Sequence, residues 1–235
     1  MEAITIQNLS QSYKKNPVLN NLNLTLNSGQ IVGLLGPNGC GKSTLLKILA
    51  GVITDYTGSV MLHGCRPSPE TKAFTSYLPE KTYLSSWMKP SYAIRYFADF
   101  YPDFDRYKAT HMLLDFGLNP EQPIGTMSKG MQEKVQLTLV MSRAASIYLL
   151  DEPLGGVDPA TRSAILDMIL RNYLNNATLV ISTHLVQDIE RIFSYGVLLG
   201  YGELILAGDA AEIRARYGKS MDQIFREVFS CLVNF

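Results

Sequence analysis

The sequence predicts an α/β domain with a mainly parallel sheet, an antiparallel β layer in front of it and a helical lobe inserted in the middle. Three patterns lead there. Gln30 to Leu35 is a continuous apolar run ending at Gly36, and a helical pattern follows from Ser43 to Ala50, the strand, loop and helix of a parallel sheet. Leu22, Leu24 and Leu26 alternate with Asn21, Asn23 and Thr25, the two-residue period of a half-buried strand. Between Ser91 and Phe116 the texture turns helical, before the buried-strand pattern resumes at Ile147.

Taken in order, the alternating leucines open an antiparallel layer, and the run to Leu35 starts the parallel core, with Gly51 closing its helix. Gly58 to Leu62 and Phe74 to Leu78 are further strands. Helical stretches follow around Ser91 to Phe100 and Asp103 to Phe116, with Gly117 as a stop. Ile147 to Leu150 is a strand, Asp158 caps a helix that starts at Pro159, and Thr178 to Ser182 is the next strand. Gly196 to Leu199 and Glu203 to Leu206 flank Gly200-Tyr201-Gly202, a hairpin signal. Two capping boxes, Asp209 with Glu212 and Ser220 with Gln223, start two final helices. The expected division is one domain, with residues 1–80 and 145–207 as core and antiparallel layer, 81–144 as the helical subdomain and 208–235 as C-terminal helices.

Of the 235 residues, 46% are hydrophobic and 18% charged, a balance that excludes a disordered chain. Lysine plus arginine number 21, as do aspartate plus glutamate, and no basic block runs through the sequence, so nucleic acid is not an expected partner. Cys40, Cys65 and Cys231 lie far apart and outside any metal spacing, which suits a reducing, cytoplasmic setting. Neither a secretion signal nor an apolar stretch near the ~20 residues of a membrane span is expected, so work at a membrane requires another chain to supply the spans.

Gly36-Pro37-Asn38-Gly39-Cys40-Gly41-Lys42-Ser43 matches G-x-x-x-x-G-K-[ST] between a predicted strand and helix. Glycines let the backbone curl until successive N–H groups face one anion, and the helix aims its positive end at the same point. A nucleoside triphosphate such as ATP suits that field. Lys42 is expected to reach the β- and γ-phosphates, Ser43 to complete the coordination of Mg2+, and Thr44 to contact the α-phosphate. The fold expectation sharpens accordingly to a phosphate-loop ATPase core.

Ser146 to Glu152 is an apolar strand that delivers two acids to its carboxyl end, where parallel sheets bind ligands. Asp151 is expected to hold the metal ion, and Glu152 to polarise the water that attacks the γ-phosphate. A kinase has no need of such a water-directing acid. His184, at the end of the strand from Thr178, can hydrogen-bond the γ-phosphate and orient that water.

With these motifs in place the chain resembles the nucleotide-binding subunit of ABC transporters over essentially its whole length. GPNGCGKST is followed by YLPE (Tyr77 to Glu80) at the family's glutamine loop and by MSKGMQ (Met127 to Gln132) at its LSGGQ signature; YLLDEP, GGVDP and STH stand as Walker B, D-loop and switch histidine. The resemblance implies that Ser128 and Gly130 present donors to ATP bound on a second subunit, either a second copy or a related ATPase subunit. It further implies that the signature and the phosphate loop of one chain face different nucleotides, that Tyr13 stacks on adenine, and that Glu80 touches the metal ion. The departures are Lys129 for the first signature glycine, Met131 for its glutamine, and Glu80 for the usual glutamine.

The SKGM signature, the YLPE loop and the ending MDQIFREVF look similar to ATPases of bacterial drug, antibiotic-peptide or polysaccharide exporters, which work peripherally on a separate membrane permease. Lys81 to Pro90, with Tyr83, Trp87 and Met88, reads either as a docking groove for that permease or as packing within the helical lobe. A rival reading is a soluble ABC ATPase acting on nucleic acid or ribosomes, which the charge balance disfavours. Cys40 inside the phosphate loop is expected to block ATP when alkylated; His63, His111, Cys65 and Cys231 read as structural.

Overall fold

The computed structural model describes residues 1–230, so Cys231 lies outside the described residues. A three-stranded antiparallel sheet in the order β2-β1-β4 is formed by β1 (Glu2–Tyr13), β2 (Asn16–Asn27) and β4 (Thr57–Leu62). β3 (Ile31–Leu35), β5 (Thr75–Leu78), β6 (Ile147–Asp151), β7 (Thr178–Thr183), β8 (Tyr195–Gly200) and β9 (Glu203–Asp209) make the main sheet in the order β5-β6-β7-β3-β8-β9. Its strands run parallel except β9, which turns back on β8. That turn has positive φ at both Tyr201 (51°) and Gly202 (79°), the conformation that matches the twist of a tight hairpin.

Alternation along the buried strands builds a core on each face of the sheet. Ile147 and Leu149 pack with α1 (Lys42–Leu49) and the antiparallel layer, whereas Tyr148 and Leu150 pack with α5 (Pro159–Asn172), α6 (Val186–Ile189), α7 (Ala210–Tyr217) and α8 (Met221–Ser230). Truncating such a residue, as in Leu149→Ala, costs about 2–5 kcal/mol through lost burial and a cavity.

The middle of the chain has a core of its own, formed by α2 (Pro90–Phe100), α3 (Arg106–Asp115) and α4 (Lys129–Met141) around Ile94, Leu113, Ile124 and Leu139. Met88 packs against that core, while Trp87 is 66% exposed and Tyr83 stands half out at the mouth of a cavity of about 220 Å³ between this lobe and β5.

Caps follow the local chemistry. Asp158 Oδ1 accepts from Thr161 N at 3.1 Å, and Asp209 Oδ1 accepts from Ala211 N and Glu212 N. Ser220 and Gln223 exchange bonds, each side chain accepting from the other's N–H. β1 and α6 carry no expectation from the sequence. Asn8 breaks the alternation of β1 with a φ of 50°, and α6 is a single turn. Among the described residues, no helix is long and apolar enough to cross a membrane.

Candidate active site

The carboxyl ends of β6, β7 and β3 lie side by side, with Asp151 opposite Ser182 and Leu35 opposite Thr183. The loop from Gly36 leaves β3 there and becomes α1 at Lys42. Gly41 precedes that helix at φ 107°, and a Cβ on it would stand 2.8 Å from Leu19 Cδ2 and 2.9 Å from Val18 O. At Gly36 the limit is space, since a Cβ would collide with Leu199 O. Gly202 N braces the loop from outside by donating to Cys40 O at 3.2 Å.

Lys42, 5% exposed, is held under the curled backbone: Nζ donates to Gly36 O at 2.7 Å and Pro37 O at 3.1 Å, and pairs with Glu152 Oε1 at 3.3 Å. Glu152 is a non-glycine residue at φ 49°, a sparsely populated conformation fixed here by its N–H donating to both Ser182 O and Ser182 Oγ. Both of its carboxylate oxygens lie near His184 Nδ1, Oε1 at 3.2 Å and Oε2 at 3.1 Å.

Asp151, 1% exposed, receives Ser43 Oγ at 3.0 Å and Ser182 Oγ at 2.7 Å on the same oxygen, Oδ1. Oδ2 is buried without a partner in the described residues. Burial pushes the carboxyl above its ordinary value, the serine bonds oppose this, and the charges of Glu80 and Glu152 add to it. A half-satisfied buried carboxylate beside a serine hydroxyl is a hard-oxygen set short of a cation, and it fits magnesium. No group of three or more His, Cys, Asp or Glu among the described residues could hold a metal alone, so such an ion would share its shell with phosphate and water.

One open cavity of about 480 Å³ gathers Asn38, Gly39, Gly41, Lys42, Ser43, Thr44, Glu80, Glu152 and His184, together with Val18, Lys129, Glu133 and Gly155. Asp151 lies beneath it. Other residues singled out from the sequence stand elsewhere. Gly36 contributes only its carbonyl, and the Cys40 side chain is buried with its sulfur against Gly36. Tyr13 is exposed at the turn between β1 and β2, opposite Asn16. Ser128 is exposed and caps α4, accepting from Met131 N at 3.3 Å, and Gly130 has room for a side chain, with Val157 Cγ1 3.6 Å from its would-be Cβ.

Ser128 does not line the cavity over the phosphate loop, but residues near it do. Lys129 and Glu133, paired at 3.6 Å, reach the cavity of their own phosphate loop. Burial raises the Glu133 carboxyl, with Lys129 opposing it. Sequence reasoning missed Glu133 and Ser182. The available signal for Ser182 was a polar residue one step from the end of an otherwise apolar strand, level with Asp151.

A parallel-sheet crevice that joins a phosphate loop, a buried aspartate and an adjacent glutamate defines a phosphate-loop nucleoside triphosphatase. Comparison with known proteins narrows the class: the family model described as ABC transporter matches residues 19–155, and the chain belongs to that family as an ATP-binding, ATP-hydrolysing subunit. It is similar to the ABC-type transporter ATP-binding protein EcsA of Bacillus subtilis, 28% identical over 97% of each chain. It is also similar to the lantibiotic transport ATP-binding protein SrtF of Streptococcus pyogenes, 27% identical over 86% of this chain and 89% of that one. A solved structure described as the ATP binding subunit of an ABC transporter superposes with a TM-score of 0.86 at 27% identity, covering 97% of this chain and 99% of the other.

Proposed function

We propose that this subunit holds MgATP in the cavity above Asp151 and works as one half of an ATP-closed pair that drives a separate membrane permease, exporting its cargo. The gathering of Lys42, Ser43, Glu152 and His184 around one cavity carries this reading. In it, residues 1–80 and 145–207 are the core, 81–144 the signature-bearing lobe and 208–235 the C-terminal helices.

The loop amides from Asn38 to Thr44 and the Lys42 ammonium bind the phosphates. Ser43, Asp151 and Glu80 would hold magnesium, whose chemistry is to neutralise charge building on the phosphate oxygens. Glu152 takes the proton of the attacking water, and His184 holds Glu152 through Nδ1. Tyr13 stacks on the base.

Ser128 is exposed and caps α4, whereas Gly130 is not crowded within its own chain and has no local reason for its identity. Gly130 gains one, and Ser128 a second role, if a second subunit brings its nucleotide against the start of α4. That second subunit is another copy or a related ATPase. Removal of the shared γ-phosphate reopens the pair.

The half-exposed Tyr83 lining the 220 Å³ cavity and the exposed Trp87 suit a permease segment, which seats the subunit on the cytoplasmic face of the membrane. Export rests on the form of the signature and on the likeness to a lantibiotic transport protein. Detergent extraction tests the assignment: the chain is expected to leave cells with a multispanning protein, and tight binding to RNA instead would contradict it.

A further inference from the structure

The helical lobe joins the core through two stretches of chain, one after β5 and one between α4 and β6. Arg143 sits in the second and is 3% exposed. All five of its guanidinium N–H groups are engaged. Nε donates to both oxygens of Asp103 at 3.2 Å, Nη1 to Lys72 O at 3.0 Å and Thr75 O at 2.9 Å, and Nη2 to Ala73 O at 2.7 Å and Asp103 Oδ1 at 3.0 Å. The ring of Tyr101 lies 3.8 Å from its central carbon. Lys72 to Thr75 lead into β5 in the core, whereas Tyr101 and Asp103 belong to the lobe. The guanidinium therefore fastens the second crossing to the strand that forms the first.

We propose that Arg143 is a positioning residue that fixes the lobe against the core, and through it the placement of two groups. One is Glu80, just beyond the far end of β5; the other is Ser128, whose part rests on the paired-subunit reading above. An ammonium does not reproduce the planar fork, whose five N–H groups reach three carbonyls and a carboxylate in fixed directions. A second tie, from Lys108 Nζ to Asn172 O, also links lobe and core, so loss of the fork loosens the joint without severing it.

The test uses the full chain with Arg143→Lys and, separately, Asp103→Asn, which keeps all three core carbonyl bonds should the first variant fold poorly. Spin labels at Val52 in the core and Leu114 in the lobe, exposed by 58% and 57%, report the distance between the two bodies once Cys65→Ser and Cys231→Ser remove competing thiols. Without nucleotide, both variants are expected to broaden or shift that distance relative to the parent. In a Glu152→Gln background they are expected to raise the ATP concentration for half-maximal pairing about fivefold or more, with single-chain nucleotide affinity unchanged. Unaltered label distances in both variants overturn the proposal, as does a loss of single-chain affinity as large as the loss of pairing. A Glu152→Gln parent that never pairs contradicts the paired-subunit reading instead, and the label distances still decide on Arg143.

Discussion

Lys42 Nζ stands 3.3 Å from Glu152 Oε1, so the ammonium proposed to grip phosphate is paired with the acid proposed to direct water. In the proposed reading a triphosphate over the loop competes with Glu152 for the same ammonium.

Glu152→Gln removes the proton acceptor and the competing charge together while keeping the shape of the pocket. Turnover is expected to fall about 10²–10³-fold, equivalent to about 3–4 kcal/mol, with ATP affinity equal to or tighter than the parent's. Single-turnover hydrolysis and calorimetry measure the two effects. Unchanged hydrolysis would remove Glu152 from the mechanism.

Lys42→Ala acts in the opposite sense. It deletes a charge-assisted bond to phosphate and leaves Glu152 unneutralised in the path of a polyanion. Nucleotide affinity is expected to drop about 10- to 100-fold, read by calorimetry. An equal affinity would contradict the phosphate-cradle assignment.

Asp151 carries the pH dependence. Its folded carboxyl is raised above the unfolded value, so its charged form is the penalised one. The penalty is absent below the unfolded pKa and fully present above the folded one. Asp151→Asn is therefore expected to raise the melting temperature of the nucleotide-free chain at neutral pH while weakening magnesium-dependent nucleotide binding. A lower melting temperature at neutral pH would show that the charged form is not the costly one.

Cys40 is 5% exposed and burial raises its thiol, whereas Cys65 is exposed. Alkylation of Cys40 is expected to block ATP, yet a small thiolate fraction and poor access make that reaction slow. Peptide mapping after brief maleimide treatment near neutral pH is expected to find Cys65 modified well before Cys40. Comparable labelling of the two would show that the loop opens far more than its contacts suggest.

Local chemistry made much of this legible in advance. The curl at Gly41, the acids at the end of β6, the cap at Asp158 and the hairpin at Tyr201-Gly202 each follow from residues within a few positions of one another. What escaped notice depends on partners distant in sequence. Ser182 matters because β7 runs level with β6, and Arg143 because three carbonyls some seventy positions earlier close around it. Trp87 and Met88 are adjacent and equally apolar in the sequence, and only the packing of α2 to α4 sends one outward and the other in.

The central claim is that ATP is enclosed between two subunits, and a structure of the Glu152→Gln chain with magnesium and ATP tests it most directly. The account predicts the Ser128 hydroxyl of one subunit within hydrogen-bond reach of the γ-phosphate seated over Lys42 and Ser43 of its mate. Ser128 facing solvent, with the triphosphate enclosed by one chain alone, would contradict it.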